Sequence, residues 1–306
     1  MKQWFKKEVK NYCIKVNNLR VNYGDKVVLD NINFKIDKRD VFGIIGLSGS
    51  GKSTLLKSLM NFVKYKGQIL YGGGSIGYCP QDDAFFKDLS IEENIKLFGR
   101  LVSVDPINSI KQATKLMSLL KINESLSKPV KELSGGQRKR LNIILSIIHN
   151  PNIIIMDEPF AGLDYLTRRL LWKFISYLRS KKKTVILTTH LLNEAQTNCN
   201  NLLIISDGKK YASGSINDLK RSLKFHQFIY LRFKYLNNEH IKHVDNYCKK
   251  RGVKILELDH QNASFGLPSE DDQINLLSMI KRLNNSYIIE EYRPPTLNEL
   301  FMVSVK

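Results

Sequence analysis

The chain has 306 residues, 42% of them hydrophobic and 25% charged, and carries a formal net charge of +19. This composition fits a globular protein and excludes a disordered or fibrous one, while the length allows one large domain and a small one at about 150 residues per domain. The lysines are scattered, many beside asparagine and isoleucine, with no basic block of interleaved aromatics, so the charge reads first as solvated surface and next as nearness to a membrane, with no nucleic acid expected.

In chain order, Lys2, Lys6, Lys7 and Lys10 precede no apolar core, so a signal peptide is not expected and the chain is expected to stay in the cytoplasm. The segment Val27–Ile36 alternates apolar Ile32, Phe34 and Ile36 with polar residues, the pattern of a half-buried strand. Val41–Ile45 is a short apolar run leading into a glycine-rich turn and then a helical stretch, Ser53–Phe62. Gly67–Leu70 and Ser75–Tyr78 read as short strands, with Gly72, Gly73 and Gly74 turning between them. From Ser90 to Leu120 the pattern is helical and opens on a capping box, Ser90 with Glu93. No run reaches the ~20 apolar residues that cross a bilayer as a helix; the most apolar region, Leu141 to Met156, is broken by His149, Asn150, Pro151 and Asn152. Ile153–Met156 and Thr184–Thr188 read as buried strands separated by a helical stretch, Thr167–Arg179. Leu202–Ser206 and Lys209–Ala212 flank Asp207-Gly208, a hairpin signal. Strands that alternate with helices imply a parallel sheet covered on both faces.

After Leu219 the character changes. Gln227–Leu236 reads as a strand, Asn238–Arg251 as a helix, Val253–Asp259 as a strand, Ser269–Leu283 as a helix and Ser286–Tyr292 as a strand. This βαβαβ order predicts a small separate α+β domain over residues 221–306. His240 and His243 stand one helical turn apart with no third ligand nearby, which suits a solvated helix face better than a metal site. Cys13, Cys79, Cys199 and Cys248 form no CxxC pair, so neither a disulfide framework nor a zinc site is expected.

Gly46-Leu47-Ser48-Gly49-Ser50-Gly51-Lys52-Ser53 fits the phosphate-loop pattern GxxxxGK[ST]. Its chemistry needs backbone N–H groups converging on phosphate oxygens at a helix N-terminus, and glycines permit the close approach. Lys52 is expected to reach the β- and γ-phosphates and the Ser53 hydroxyl to bind Mg²⁺. The apolar strand Ile153–Met156 ends in Asp157-Glu158; Asp157 suits the Mg²⁺ shell and Glu158 the water that attacks phosphorus.

Leu133-Ser134-Gly135-Gly136-Gln137 resembles the signature sequence of ATP-binding-cassette (ABC) ATPases. The resemblance covers residues 12–220 and implies a P-loop NTPase α/β cassette, a RecA-like core with an antiparallel β subdomain and a helical subdomain inserted at about 83–150. It also implies that Gln81 is the Q-loop glutamine, a Mg²⁺ ligand with Ser53 and Asp157. Ala161-Gly162-Leu163-Asp164 then matches the D-loop, His190 the switch histidine contacting the γ-phosphate, and Tyr23 the aromatic that stacks on adenine. Thr54 closes the nucleotide-binding loop. In this family Ser134 and Gly136 face the γ-phosphate held by an opposite cassette, so one phosphate loop and one signature imply a dimer, homo- or heterodimeric. The expected function is ATP hydrolysis driving transport through a permease on a separate chain, at the cytoplasmic face of the membrane. Pro295-Thr-Leu-Asn-Glu-Leu-Phe301 resembles the closing stretch of ATPase subunits from ABC-2-type exporters, although Asn298 replaces an acid and Leu47-Ser48 replace Pro-Asn. Ribosome-associated ABC proteins hold two cassettes in one chain and DNA-repair members insert a long coiled coil; this sequence has neither. A purely structural nucleotide module would require a damaged site, whereas Lys52, Asp157, Glu158 and His190 are all present.

Overall fold

The computed structural model describes residues 12–222, 225, 227–283, 287–293 and 299. The lysine-rich start lies outside the described residues, and so, Glu299 apart, does the closing Pro295–Phe301 stretch. The chain divides into two compact units, Met1–Gly214 and Ser215–Lys306.

The first unit opens with β1 (Tyr12–Tyr23) and β2 (Lys26–Asp37), an antiparallel pair turned at Gly24. Pairs such as Ile14 with Ile36 and Val16 with Phe34 put buried side chains opposite one another. The sequence reading misses β1 because the strand is irregular. Asn18 has φ 50°, and the register shifts between Val16 and Leu19 and again before Val21, so its apolar residues do not keep one alternation.

Next come β3 (Val41–Ile45), α1 (Lys52–Leu59), β4 (Lys66–Tyr71) and β5 (Ile76–Cys79). The last two are the strands read at Gly67–Leu70 and Ser75–Tyr78. They do not pair through the glycines between them: β4 adds to β1 in the three-stranded sheet, while β5 is the edge of a second sheet beside β6. Gly72–Gly74 therefore carry the chain from one sheet to the other.

The insertion contains α2 (Ile91–Leu101), α3 (Pro106–Leu119) and α4 (Gly135–Ser146), which pack on one another. The single helical stretch read over Ser90–Leu120 is thus two helices. Ser103 takes φ 59°, and Asp105 caps α3 by accepting from Ile107 N and Asn108 N, with Pro106 at the first helical position. The Ser90–Glu93 capping box forms at the start of α2.

The unit continues with β6 (Ile153–Met156), α5 (Tyr165–Ser180), β7 (Thr184–Thr189), α6 (Leu192–Asn198), β8 (Asn201–Ser206) and β9 (Lys209–Ser215). The strand order is β5-β6-β7-β3-β8-β9, parallel wherever β5, β6, β7, β3 and β8 meet. Every residue of β3, β6 and β7 is buried, which is why β3 and β6 read as continuous apolar runs and β7 as Val185–Leu187 between threonines. Asp207 (φ 48°) and Gly208 (φ 72°) make the tight turn between β8 and β9. Ile14, Val16 and Leu29, then Leu55 and Leu56 of α1, then Ile44, Ile155, Ile186 and Leu203 of the parallel sheet share one core; burial of each large side chain there contributes about 1.5–3 kcal/mol.

The second unit holds α7 (Ile216–Ser222), β10 (Gln227–Phe233), α8 (Asn238–Arg251), β11 (Lys254–Leu258), β12 (Asn262–Leu267), α9 (Glu270–Arg282) and β13 (Tyr287–Arg293). It is α+β, with an antiparallel sheet ordered β11-β12-β10-β13. The βαβαβ reading lacks β12. That strand, Asn-Ala-Ser-Phe-Gly-Leu, has few strand-forming residues, yet it is central, and Asp259 shapes the turn into it by accepting from Gln261 N and Asn262 N. Its core combines Ile229, Leu231, Val244, Phe265, Leu276 and Ile280.

Cys13, Cys79, Cys199 and Cys248 are all buried and free. Burial pushes the thiols of Cys79, Cys199 and Cys248 up to about 12 and raises that of Cys13, so thiolate is scarce in the native state. At about pH 8 a thiol reagent should label the native chain slowly and all four cysteines rapidly once guanidinium unfolds it; fast labelling of native protein would contradict this burial.

Candidate active site

The loop between β3 and α1 is shaped by two glycines. At Gly46 an added Cβ would lie 2.4 Å from Ser50 Oγ and 2.5 Å from Ile205 O. Gly51 takes φ 100°, and a Cβ there would meet Leu29 Cδ2 at 2.7 Å. Gly51 is also the N-cap of α1, so no side chain caps that helix, and no acid stands in its first turn. The first N–H groups of a helix have no partner within it, and the dipole makes that end attractive to anions.

Lys52, 8% exposed, folds its side chain back over the loop. Its Nζ donates to Gly46 O (2.9 Å) and Leu47 O (3.0 Å) and lies 3.8 Å from Glu158 Oε1. Glu158 follows β6 and sits at φ 45°, a conformation costing about 1–3 kcal/mol for a residue with a Cβ. Its other carboxylate oxygen is 3.1 Å from His190 Nδ1, at the end of β7. Asp157 is buried, with Oδ1 accepting from Thr188 Oγ1 at 2.7 Å.

A cleft of about 380 Å³ opens on this group. Ser48, Gly49, Gly51, Lys52, Ser53, Thr54, Gln81, Glu158 and His190 line it, together with Val28 and Ala161. The sequence thus draws these nine from the loop, β5, β6 and β7 to one place. Gly46 and Leu47 join through their carbonyls. Ser50 and Asp157 lie behind the lining, and Tyr23, half exposed at the end of β1, lies outside it.

A family model described as ABC transporter matches residues 29–161. An uncharacterised ABC transporter ATP-binding protein of Methanocaldococcus jannaschii is 36% identical over 216 residues, covering 71% of this chain and 82% of that protein. The chain belongs to the ABC transporter ATP-binding family. The Nod factor export ATP-binding protein I of Cupriavidus metallidurans is 34% identical over 218 residues, covering 67% of this chain and 72% of its own length. Among solved structures, an ATP-binding subunit of an ABC transporter superposes with TM-score 0.64 at 25% identity, covering 69% of this chain and 92% of that one. The fold is therefore that of a P-loop ABC cassette, and the chain is the ATP-binding subunit of a transporter.

In this cassette the signature stands apart from the cleft lining. Ser134 caps α4 in a capping box with Gln137: Gln137 N donates to Ser134 Oγ (3.2 Å) and Ser134 N to Gln137 Oε1 (2.9 Å). Gln137 Nε2 also donates to Glu124 at 2.7 Å, and the Lys128 and Gln137 hydrogen bonds lower the Glu124 carboxyl. Among the described residues nothing lies within 4 Å of a Cβ built at Gly135, and only the tips of Leu163 and Thr167 come that near one at Gly136. Internal packing therefore does not require these glycines. Asp164 caps α5 by accepting from Thr167 N (2.9 Å) and Thr167 Oγ1 (2.6 Å), which lowers its carboxyl.

Two residues of α4 escape the sequence reading. Lys139, 7% exposed, donates to Gln81 O at 2.8 Å. Asn142, 2% exposed, donates to Pro80 O (3.3 Å) and Asp82 O (3.1 Å) and accepts from Ala84 N (3.2 Å). The helix that begins at the signature thus holds the backbone on both sides of Gln81. The available signal was a polar asparagine inside the apolar run Leu141–Ile144. Asn142→Ala should cost about 1–3 kcal/mol of stability, since it strands buried partners. Hydrogen exchange should quicken at residues 81–84 and stay unchanged in the Gly46–Ser53 loop; equal protection in both would contradict this anchoring.

Proposed function

We propose that this subunit binds and hydrolyses ATP with Mg²⁺ and powers export through a membrane-spanning permease carried on a separate chain, from the cytoplasmic face of the membrane. The observation that carries the reading is the Glu158 carboxylate, poised between the Lys52 ammonium and the His190 ring over a phosphate loop. Phosphoryl transfer asks for positioning and charge neutralisation more than for covalent chemistry. Lys52 and the N–H groups at the start of α1 grip the phosphates, Glu158 orients the attacking water in line, and His190 contacts the γ-phosphate. Tyr23, 50% exposed, is assigned to stack on adenine. Magnesium, when bound, neutralises charge across the phosphate oxygens, and Ser53, Gln81 and Asp157 would hold it; all three offer the hard oxygen atoms that suit this ion.

The open approach to Gly135 and Gly136 supports a second cassette, of the same or another chain, whose nucleotide meets Ser134, Gly136 and Asp164 across the interface. ATP then favours the closed pair because it binds that state better. The export direction rests on the likeness to Nod factor export ATP-binding proteins and on the Pro295–Phe301 sequence. The second unit contains none of these residues, and we assign it to regulation or dimerisation.

Lys52→Ala should weaken ATP binding by about 10- to 100-fold, the worth of its charged hydrogen bonds. Glu158→Gln should keep ATP affinity and lose on the order of 10²–10⁴ in turnover. Nucleotide titration and phosphate release measured side by side check both, and wild-type turnover in Glu158→Gln would remove the assigned base.

A further inference from the structure

Thr188 is fully buried, one residue from the end of β7. The ladder between β6 and β7 runs to Met156 paired with Leu187, and beyond it a side chain takes over the cross-strand bonding. Thr188 Oγ1 accepts from Glu158 N at 2.8 Å and donates to Asp157 Oδ1 at 2.7 Å. The direction of both bonds is fixed: a backbone N–H can only donate, so the one hydroxyl proton goes to Asp157. One hydroxyl therefore grips both consecutive acids at the end of β6.

Each grip has a consequence for the cleft. Glu158 sits in left-handed backbone at φ 45°, which a residue with a side chain keeps only where its surroundings hold it. Its N–H is held by Thr188, and its C=O accepts from Ala161 N at 3.2 Å. This backbone turn is what brings the carboxylate to Lys52 and His190 rather than along the strand direction. At Asp157, occupying Oδ1 sets the rotamer and with it the direction of Oδ2.

We infer that Thr188 is a positioning residue for ATP hydrolysis, aiming the Glu158 carboxylate proposed to orient water and the second carboxylate oxygen of Asp157, a residue that would hold Mg²⁺, with a single hydroxyl; the inference rests on the activity proposed above. It does not line the cleft. Neighbouring Thr189 does different work, its Oγ1 accepting from Leu191 N at 3.0 Å, so it cannot stand in for Thr188.

Valine has the shape of threonine and suits a strand at least as well, so Thr188→Val keeps the packing and removes only the hydroxyl. In the full chain, kcat should fall about 10- to 100-fold, the usual cost of losing a group that orients a ligand or base. ATP affinity should stay within about threefold, which also reports a folded chain. Thr188→Ser should restore kcat to within about threefold, since it keeps the hydroxyl and drops only a methyl. Mn²⁺ titrated into the ATP-bound protein and followed by electron paramagnetic resonance should bind several-fold more weakly to Thr188→Val than to Thr188→Ser. Thr188→Ala, with a smaller body, should fall with valine and not with serine. In a Glu158→Gln background, Thr188→Val should lower turnover by less than it does in the wild-type chain, because only the share carried through Asp157 is left to lose. Wild-type kcat in Thr188→Val, or a Thr188→Ser enzyme as slow as valine, would overturn the inference while leaving the activity intact. Wild-type turnover in Glu158→Gln alone would instead overturn the proposed activity.

Discussion

A buried ammonium governs the shape of the site. Lys52 is only 8% exposed, and a charge so placed is costly unless hydrogen bonds and an opposite charge accompany it. Gly46 O, Leu47 O and Glu158 provide them. The loop must therefore curl around its own lysine, which only glycine allows at Gly46 and Gly51, and Glu158 must turn out of its strand to reach it. Loop curvature, helix start and the left-handed backbone at Glu158 are linked through one charge. A phosphate arriving at the start of α1 would compete with the same carbonyls for the same ammonium.

The parallel sheet supplies the precision. The loop follows β3, Asp157 and Glu158 follow β6, and His190 follows β7, three strands adjacent in the order β6-β7-β3. Their carboxyl ends lie along one edge, the place where open α/β sheets gather ligand-binding groups. All of their residues are buried on both faces, so the groups projecting from that edge move little. The insertion contributes differently. Lys139 and Asn142 reach from the signature helix to the backbone around Gln81, the segment that carries a cleft-lining glutamine. The signature helix and a segment of the cleft wall are thereby joined by direct hydrogen bonds inside one chain, although Ser134 does not line the cleft.

Much of this was legible in the sequence, for identifiable reasons. Phosphate loops are local: the glycine spacing, the lysine and the preceding apolar strand are contiguous, so pattern and structure coincide. The two acids are legible after the wholly apolar Ile153–Met156, and the histidine after the mostly β-branched, buried run Thr184–Thr189. What escaped notice depends on partners distant in sequence. β1 was hidden by the bulge at Asn18, and β12 by a composition that becomes a strand only between β10 and β11. The separation of β4 and β5 into different sheets is decided by β1 and β6, which no window around Gly72–Gly74 contains. Thr188 and Asn142 looked like ordinary residues of a strand and a helix, and their bonds to Asp157, Glu158 and the Gln81 segment exist only in three dimensions.

The sequence holds one phosphate loop and one signature, and among the described residues nothing approaches a Cβ built at Gly135 within 4 Å. The proposed active form is thus a pair in which each signature meets the nucleotide of the other cassette. Light scattering on Glu158→Gln tests this most directly. With ADP it should remain a monomer, with ATP and Mg²⁺ it should become a dimer, and Ser134→Arg in the same background should block that change while leaving ATP bound. A dimer that forms equally well without nucleotide, or one indifferent to Ser134→Arg, would contradict a nucleotide-sandwiched pair.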